Sequence, residues 1–191
     1  MSKYDLIIVG VGGQGAILAS DIIGKAAVAE GLPVRAAETH GMAQRGGAVE
    51  NHVRLGCTHG SLIPVRQADC LMSMEPVEAL RFAKYLSTKG IAVINTERIV
   101  PPIVATGKVK YPDVDVIIDT IGGLCSEVKA ENYTELAKKA GAIQALNVVM
   151  IGAISRYLPL KPETLREIIA ASVPPKTVNV NLKAFDLGRE A

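Results

Sequence analysis

The chain has 191 residues, enough for one ordinary domain that buries a full core but too few for two of average size. With 49% hydrophobic residues it fits a fully buried sheet, while 4% aromatic content and no Trp exclude stacking platforms for bases. A balance of 21 basic and 19 acidic residues, net +2, excludes a broad field for nucleic acid or anionic lipid.

Cys57, Cys70 and Cys125 are odd in number, far apart and never in a C-x-x-C pair. That spacing argues against an iron–sulfur or zinc cradle and against a disulfide framework, and leaves three small buried thiols as the default expectation. The first apolar run carries a charge and is too short for a signal peptide or a membrane span, so the expected location is the cytoplasm.

Tyr4 to Val9 is a short apolar run rich in β-branched residues, the pattern of a central parallel strand. Gly10-Val11-Gly12-Gly13-Gln14-Gly15 follows, a G-x-G-x-x-G between that strand and a helix expected from about Gln14 to Glu30. Glycines there permit a tight turn and let a phosphate approach the free N–H groups of the helix start. Ile17, Leu18, Ile22, Ile23 and Ala26 mark the inner side of the helix, and Gly31 with Pro33 ends it.

Val34 to Glu38 predicts a second strand, with Glu38 near the place where a dinucleotide fold keeps an acid for ribose. A solvated or hydrogen-bonded strand-end carboxylate is the simpler reading of Glu38. Ala48 to Leu55 alternates as a strand and places His52 and Arg54 on one face, toward an anion site or toward water. Asp69 to Met74 is another apolar run, and Glu75-Pro76 opens a helix carrying Val77, Leu80 and Ala83.

Gly90 to Ile94 predicts a strand, and Ile99 to Gly107, broken by Pro101-Pro102, a connector. A helix is expected from Pro112-Asp113 to Gly122-Gly123, then a short edge strand from Cys125 to Ala130. Asn132 can cap a helix ending at Gly141. Ala145 to Tyr157 repeats at helical spacing with Met150 in the core, and Pro162-Glu163 opens what reads as the last helix. Lys176 to Gly188 then reads as a non-helical tail that docks Val178, Val180, Leu182 and Phe185 on the domain or on a partner. The order predicts an α/β/α three-layer sandwich around a mostly parallel, Rossmann-like sheet.

Between the second and third strands lies Thr39-His40-Gly41-Met42-Ala43-Gln44-Arg45-Gly46-Gly47. Its three glycines can turn N–H groups toward one point, and Arg45 adds a forked, permanent cation, so a phosphate or carboxylate is the natural guest. A mobile loop with a solvated Arg is the bland alternative. Ligands of such sheets sit at the carboxyl ends of the strands, where both glycine segments fall, which suits an extended, multi-phosphate ligand.

These two motifs, together with Val53-Arg54, Asn147 to Gly152 and Pro175-Lys176 to Gly188, resemble the γ-type subunit or domain of 2-oxoacid:ferredoxin oxidoreductases over almost the whole chain. Among the branches the resemblance is greatest to the indolepyruvate enzymes, whose β subunit is a separate chain of about this size. The resemblance implies one component of an enzyme that decarboxylates a 2-oxoacid on thiamine diphosphate, reduces ferredoxin through iron–sulfur clusters and passes the acyl group to coenzyme A. It implies that thiamine diphosphate, Mg²⁺ and the clusters lie on a larger partner subunit, and that this chain alone binds no cofactor and is not active. The sites then expected to grip coenzyme A are Gly10, Gly12, Gly13, Gln14 and Gly15, with Thr39, His40, Gly41, Gln44, Arg45, Gly46 and Gly47. His40 is also the one candidate for acid–base work, although a His beside a Gly is more often structural.

Two rivals stand beside this reading. A free-standing NAD(P)-dependent oxidoreductase is favoured by the glycine turn and Glu38 but lacks a catalytic pair after the nucleotide half. A non-enzymatic nucleotide- or coenzyme A-binding module needs no other chain, whereas the subunit reading expects an apolar surface, from the tail and the helix around Met150, to be covered in the complex.

Overall fold

The structure, a computed structural model, describes residues 3–40, 47–101, 104, 106–107 and 109–191. Strands β1 (Tyr4–Val11), β2 (Val34–His40), β3 (Ala48–Leu55), β4 (Ala68–Ser73), β5 (Leu86–Asn95) and β6 (Glu127–Glu131) form one sheet in the order β2-β3-β1-β4-β5-β6. The ladder from β1 through β4 and β5 to β6 is parallel. Strand β3 runs against both β1 and β2, so the sheet is mixed. Helices α1 (Ala16–Ala29), α4 (Tyr133–Ala140), α5 (Leu146–Ile154), α6 (Pro162–Ser172) and α7 (Val178–Glu190) cover one face. Helices α2 (Pro76–Phe82) and α3 (Val114–Gly122) cover the other.

Alternation along β1 explains the two cores. Leu6 and Ile8 pack with α1 and α4 to α7, while Ile7 and Val9 pack with α2 and α3. Helix α1 buries Ala16, Ala19, Ile22, Ile23, Ala26 and Ala27, but Ile17, expected on this inner side, is 42% exposed. The small alanines let α1 lie close to the sheet, and the 3.6-residue period carries Ile17 off the buried stripe. Asn132 caps α4 by accepting from the Glu135 amide at 3.1 Å, and Met150 is fully buried, both as expected.

The expected tail is α7. Two asparagines and a glycine give Val178–Glu190 weak intrinsic helicity, yet its Ala184, Phe185 and Gly188 form a buried stripe against α5. A Cβ at Gly188 would stand 1.9 Å from the Val149 carbonyl oxygen, and one at Gly152 would stand 2.1 Å from that of Phe185. Only hydrogens fit where these helices cross, so tertiary contact overrides propensity. Full burial of Phe185 alone contributes about 2–3 kcal/mol. The tail and the helix around Met150 thus cover each other, rather than forming the apolar surface expected to wait for a partner.

Over β3, the α2 face is covered by residues 56–67 instead of a helix. Arg54 donates from Nε to Asp5 at 3.0 Å and from a terminal nitrogen to the carbonyls of Gly60 and Leu62 at 3.0 and 3.1 Å. His52 Nδ1 accepts from the Ile63 amide at 3.0 Å, which leaves its Nε2 to donate to Glu50 at 2.8 Å. The face shared by His52 and Arg54 therefore looks toward neither the glycine-turn site nor water, and its polar groups are taken by Asp5, Glu50 and the backbone of residues 60–63. It fastens a segment whose Ile63 plugs the core.

Candidate functional site at the carboxyl edge of the sheet

The glycine turn is built by its own glutamine. Gln14 Oε1 accepts from the Val11 amide at 2.7 Å, and Gln14 Nε2 donates to the Met74 carbonyl at 2.9 Å, which binds the turn to the end of β4. The Gln14 side chain thus braces the turn while also lining the cavity beside it. A Cβ at Gly10 would stand 2.7 Å from Gln14 Oε1, so the bare glycine makes room for this brace. Gly13 and Gly15 have φ of +102° and +81°, and Gly15 is the N-cap of α1.

No side chain caps α1 and its first turn carries no acid. The first amides of a helix have no intrahelical acceptor, so those of Ala16, Ile17 and Leu18 face outward with the positive end of the dipole. Asn147 donates to the Gly15 carbonyl at 3.3 Å and accepts from the Val148 amide at 3.0 Å, which holds the start of α5 against the turn. A Cβ at Gly15 would stand 2.7 Å from Asn147 Nδ2. A cavity of about 480 Å³ opens here, lined by Gly13, Gly15, Leu18, Arg98, Lys138 and Asn147 among others.

The second glycine segment is the connection of the β2–β3 hairpin, closed by the pairs His40 with Val49 and Thr39 with Glu50. Gly41, Gln44, Arg45 and Gly46 lie outside the described residues, as does the His40 side chain. Its end is fixed, because the Gly12 amide donates to the Gly47 carbonyl at 2.9 Å. The two segments therefore meet at one edge. The Thr39 hydroxyl donates to the Glu50 carbonyl at 2.9 Å, an engagement within the hairpin.

Sequence reasoning passed over three residues here. Buried Glu75, just past β4, accepts from the amides of Glu78 and Ile99 at 3.1 and 3.3 Å and from the Tyr111 hydroxyl. Burial, and then the Glu75 contact, push the Tyr111 hydroxyl pKa upward. Arg98, exposed at the cavity mouth, lies with its guanidinium 5.8 Å from the Tyr111 ring centroid. The one available signal was position, since Glu75 and Arg98 follow the ends of β4 and β5 at the ligand-binding edge. Burial pushes the Glu78 carboxyl up, Arg81 opposes the shift, and Glu75 adds to it.

Glu38 stands on β2, and β3 intervenes between β2 and β1. Two strand spacings, roughly 9–10 Å, separate it from the strand that leads into the glycine turn. In a dinucleotide fold the acid-bearing strand adjoins the first. Glu38 instead meets Ser20 Oγ at 3.4 Å.

Residues 5–191 match the family described as pyruvate ferredoxin/flavodoxin oxidoreductase. The chain belongs to that family. It is 45% identical over 188 residues to the indolepyruvate oxidoreductase subunit IorB of Archaeoglobus fulgidus, covering 97% of this chain and 94% of the relative. A crystal structure of a keto/oxoacid ferredoxin oxidoreductase γ subunit from Geobacter sulfurreducens superposes with a TM-score of 0.72 at 25% identity, covering 98% and 96% of the two chains. The fold also matches a 2-oxoglutarate:ferredoxin oxidoreductase from Magnetococcus marinus, described with 2-oxoglutarate, coenzyme A and succinyl-CoA bound. That match has a TM-score of 0.73 at 21% identity, over all of this chain and 31% of the longer one.

The thiols of this family member do not fit a cluster. Cys70 is buried, and its thiol pKa is pushed up to about 12 by desolvation. Cys57 and Cys125 are half-buried rather than buried as expected, and their sulfurs donate to the carbonyls of His59 and Glu127. Among the described residues no group of three His, Cys, Asp or Glu could hold a metal. No helix among the described residues is long and apolar enough to cross a membrane.

Proposed function

We propose that this chain, as a subunit of a 2-oxoacid:ferredoxin oxidoreductase that acts on indolepyruvate, holds coenzyme A by its phosphates. The grip would come from the glycine turn at the start of α1 and from the Thr39–Gly47 connection. The observation that carries this reading is the Gly12 to Gly47 hydrogen bond, which joins two anion-competent segments beside an open helix start. A ligand with a diphosphate and a further phosphate suits two adjacent anion sites. The Magnetococcus protein of the same fold, described with coenzyme A bound, is consistent with this.

Decarboxylation and electron transfer would belong to a larger partner subunit that supplies thiamine diphosphate with Mg²⁺ and the iron–sulfur clusters leading to ferredoxin. Among the described residues no group of three His, Cys, Asp or Glu could hold a metal ion or cluster. Its contribution is to orient coenzyme A so that the thiol reaches the acyl group held by the partner, a gain in effective concentration rather than in bond making. His40 remains a candidate for a polar contact near that shared site.

The test is Arg45→Ala in the assembled enzyme. A charge-assisted contact to phosphate contributes about 1.5–3 kcal/mol, so the KM for coenzyme A should rise about ten- to a hundredfold. Decarboxylation without coenzyme A should stay at the wild-type rate. An unchanged KM would count against the reading, and a parallel fall in every activity would signal misfolding instead.

A further inference from the structure

The cavity at the glycine turn has two cations on its rim, and the structure treats them differently. Lys138 is neutralised by Glu135 at 2.6 Å, one turn away on α4. Arg98 forms no hydrogen bond or ion pair with any described residue, and its recorded partner is the face of the Tyr111 ring. None of its five N–H donors is taken by a described residue. A guanidinium held over an aromatic face loses part of its rotamer freedom in advance and keeps its planar fork for a ligand.

What fixes that geometry lies underneath. Glu75 is 1% exposed, and its carboxylate accepts both from the amide of Ile99, the residue after Arg98, and from the hydroxyl of Tyr111, the ring beneath Arg98. One buried carboxylate thus sets the backbone on one side of Arg98 and the platform under its side chain. Glu75 lies just past the end of β4, so the brace is referred to the sheet that also carries the glycine turn through Gln14 and Met74.

We infer that Arg98 supplies the cation that completes the phosphate site of the glycine turn, and that Tyr111, anchored on buried Glu75, is the positioning residue that holds it there. The ligand class is a phosphorylated nucleotide moiety, with the open amides of α1 taking phosphate oxygens from one side and the guanidinium from the other. This rests on the coenzyme A reading above and adds to it a residue outside both glycine segments.

The experiment uses the assembled enzyme with Arg98→Ala, Arg98→Lys and Tyr111→Phe in this chain. It measures KM for coenzyme A, kcat, and competitive inhibition by 3′,5′-ADP, the nucleotide fragment of coenzyme A. Arg98→Ala should raise both KM and the inhibition constant about tenfold or more, with the effect on KM and not on kcat. Arg98→Lys should recover part of the loss, because an ammonium keeps the charge without the fork. Tyr111→Phe, which keeps the ring but frees it from Glu75, should raise KM about two- to fivefold. If 3′,5′-ADP competes in the wild type and Arg98→Ala changes neither constant, the inference is wrong while the coenzyme A reading stands. If 3′,5′-ADP does not compete even in the wild type, the coenzyme A reading fails and takes the inference with it. A fall in kcat and thermal midpoint together with KM would assign Arg98 a structural role and overturn the proposal.

Discussion

Helices α1 and α2 both start at the carboxyl edge of the sheet, one after β1 and the other after β4, yet their first turns are satisfied in opposite ways. Helix α2 is closed from within, since the Glu75 side chain takes the Glu78 amide and Pro76 stands at its first turn, where a missing donor costs nothing. Helix α1 is left open, with a glycine N-cap, no side-chain cap and no acid in its first turn. Gln14, just before the helix, is turned back onto β1 and Met74 and does not cap it. One helix start is sealed by a buried carboxylate and the other is left open, the contrast on which the coenzyme A proposal rests.

The largest test of this contrast is to open α2 as well. Glu75→Ala removes an acceptor shared by three donors, two of them backbone amides, and should cost about 2–4 kcal/mol in urea unfolding of the isolated chain. Stability equal to wild type would mean that the Glu75 contacts do not close α2 or hold the segment after β5.

A smaller effect concerns the second carboxylate on α2. Burial raises the Glu78 pKa in the folded chain, so the fold binds this proton more tightly than the unfolded chain does. Stability from this group is therefore complete below the unfolded pKa and is lost as pH rises through the folded one. Compared between pH 4.5 and 7.5, the stability of wild type relative to Glu78→Gln should fall as the pH rises. A difference independent of pH would contradict the assignment.

The contrast also marks what was legible in the sequence. Gly10 to Gly15 could be placed between a strand and a helix because its glycines interrupt two clear hydrophobic periods, and that placement holds. The Asn132 cap and buried Met150 were legible for the same reason, as local rules that tertiary contacts reinforce. The antiparallel insertion of β3 was hidden, because alternation in Ala48–Leu55 records which side chains share a face and not the direction of the neighbouring strand. Helix α7 was hidden because Gly188 weakens a lone helix but is what the close crossing with α5 requires.

At the site, Arg98 and Glu75 were invisible for a related reason. An isolated Arg in a Pro-rich connector and a Glu before a Pro carry no pattern, and their meaning arises only when Tyr111, some ten residues further on, comes between them. The bracing role of Gln14 was hidden because a polar residue inside a glycine turn suits a ligand contact and an internal brace equally well, and only the Val11 and Met74 hydrogen bonds reveal the brace.

The most direct measurement of the central claim is hydrogen exchange of the assembled enzyme under anaerobic conditions, with and without coenzyme A, read at the first turns of the two helices. The account predicts that coenzyme A slows exchange at residues 16–18, the open first turn of α1, and leaves residues 78 and 79, already closed by Glu75, at their original rates. Unchanged exchange at residues 16–18 in an enzyme saturated with coenzyme A would contradict it.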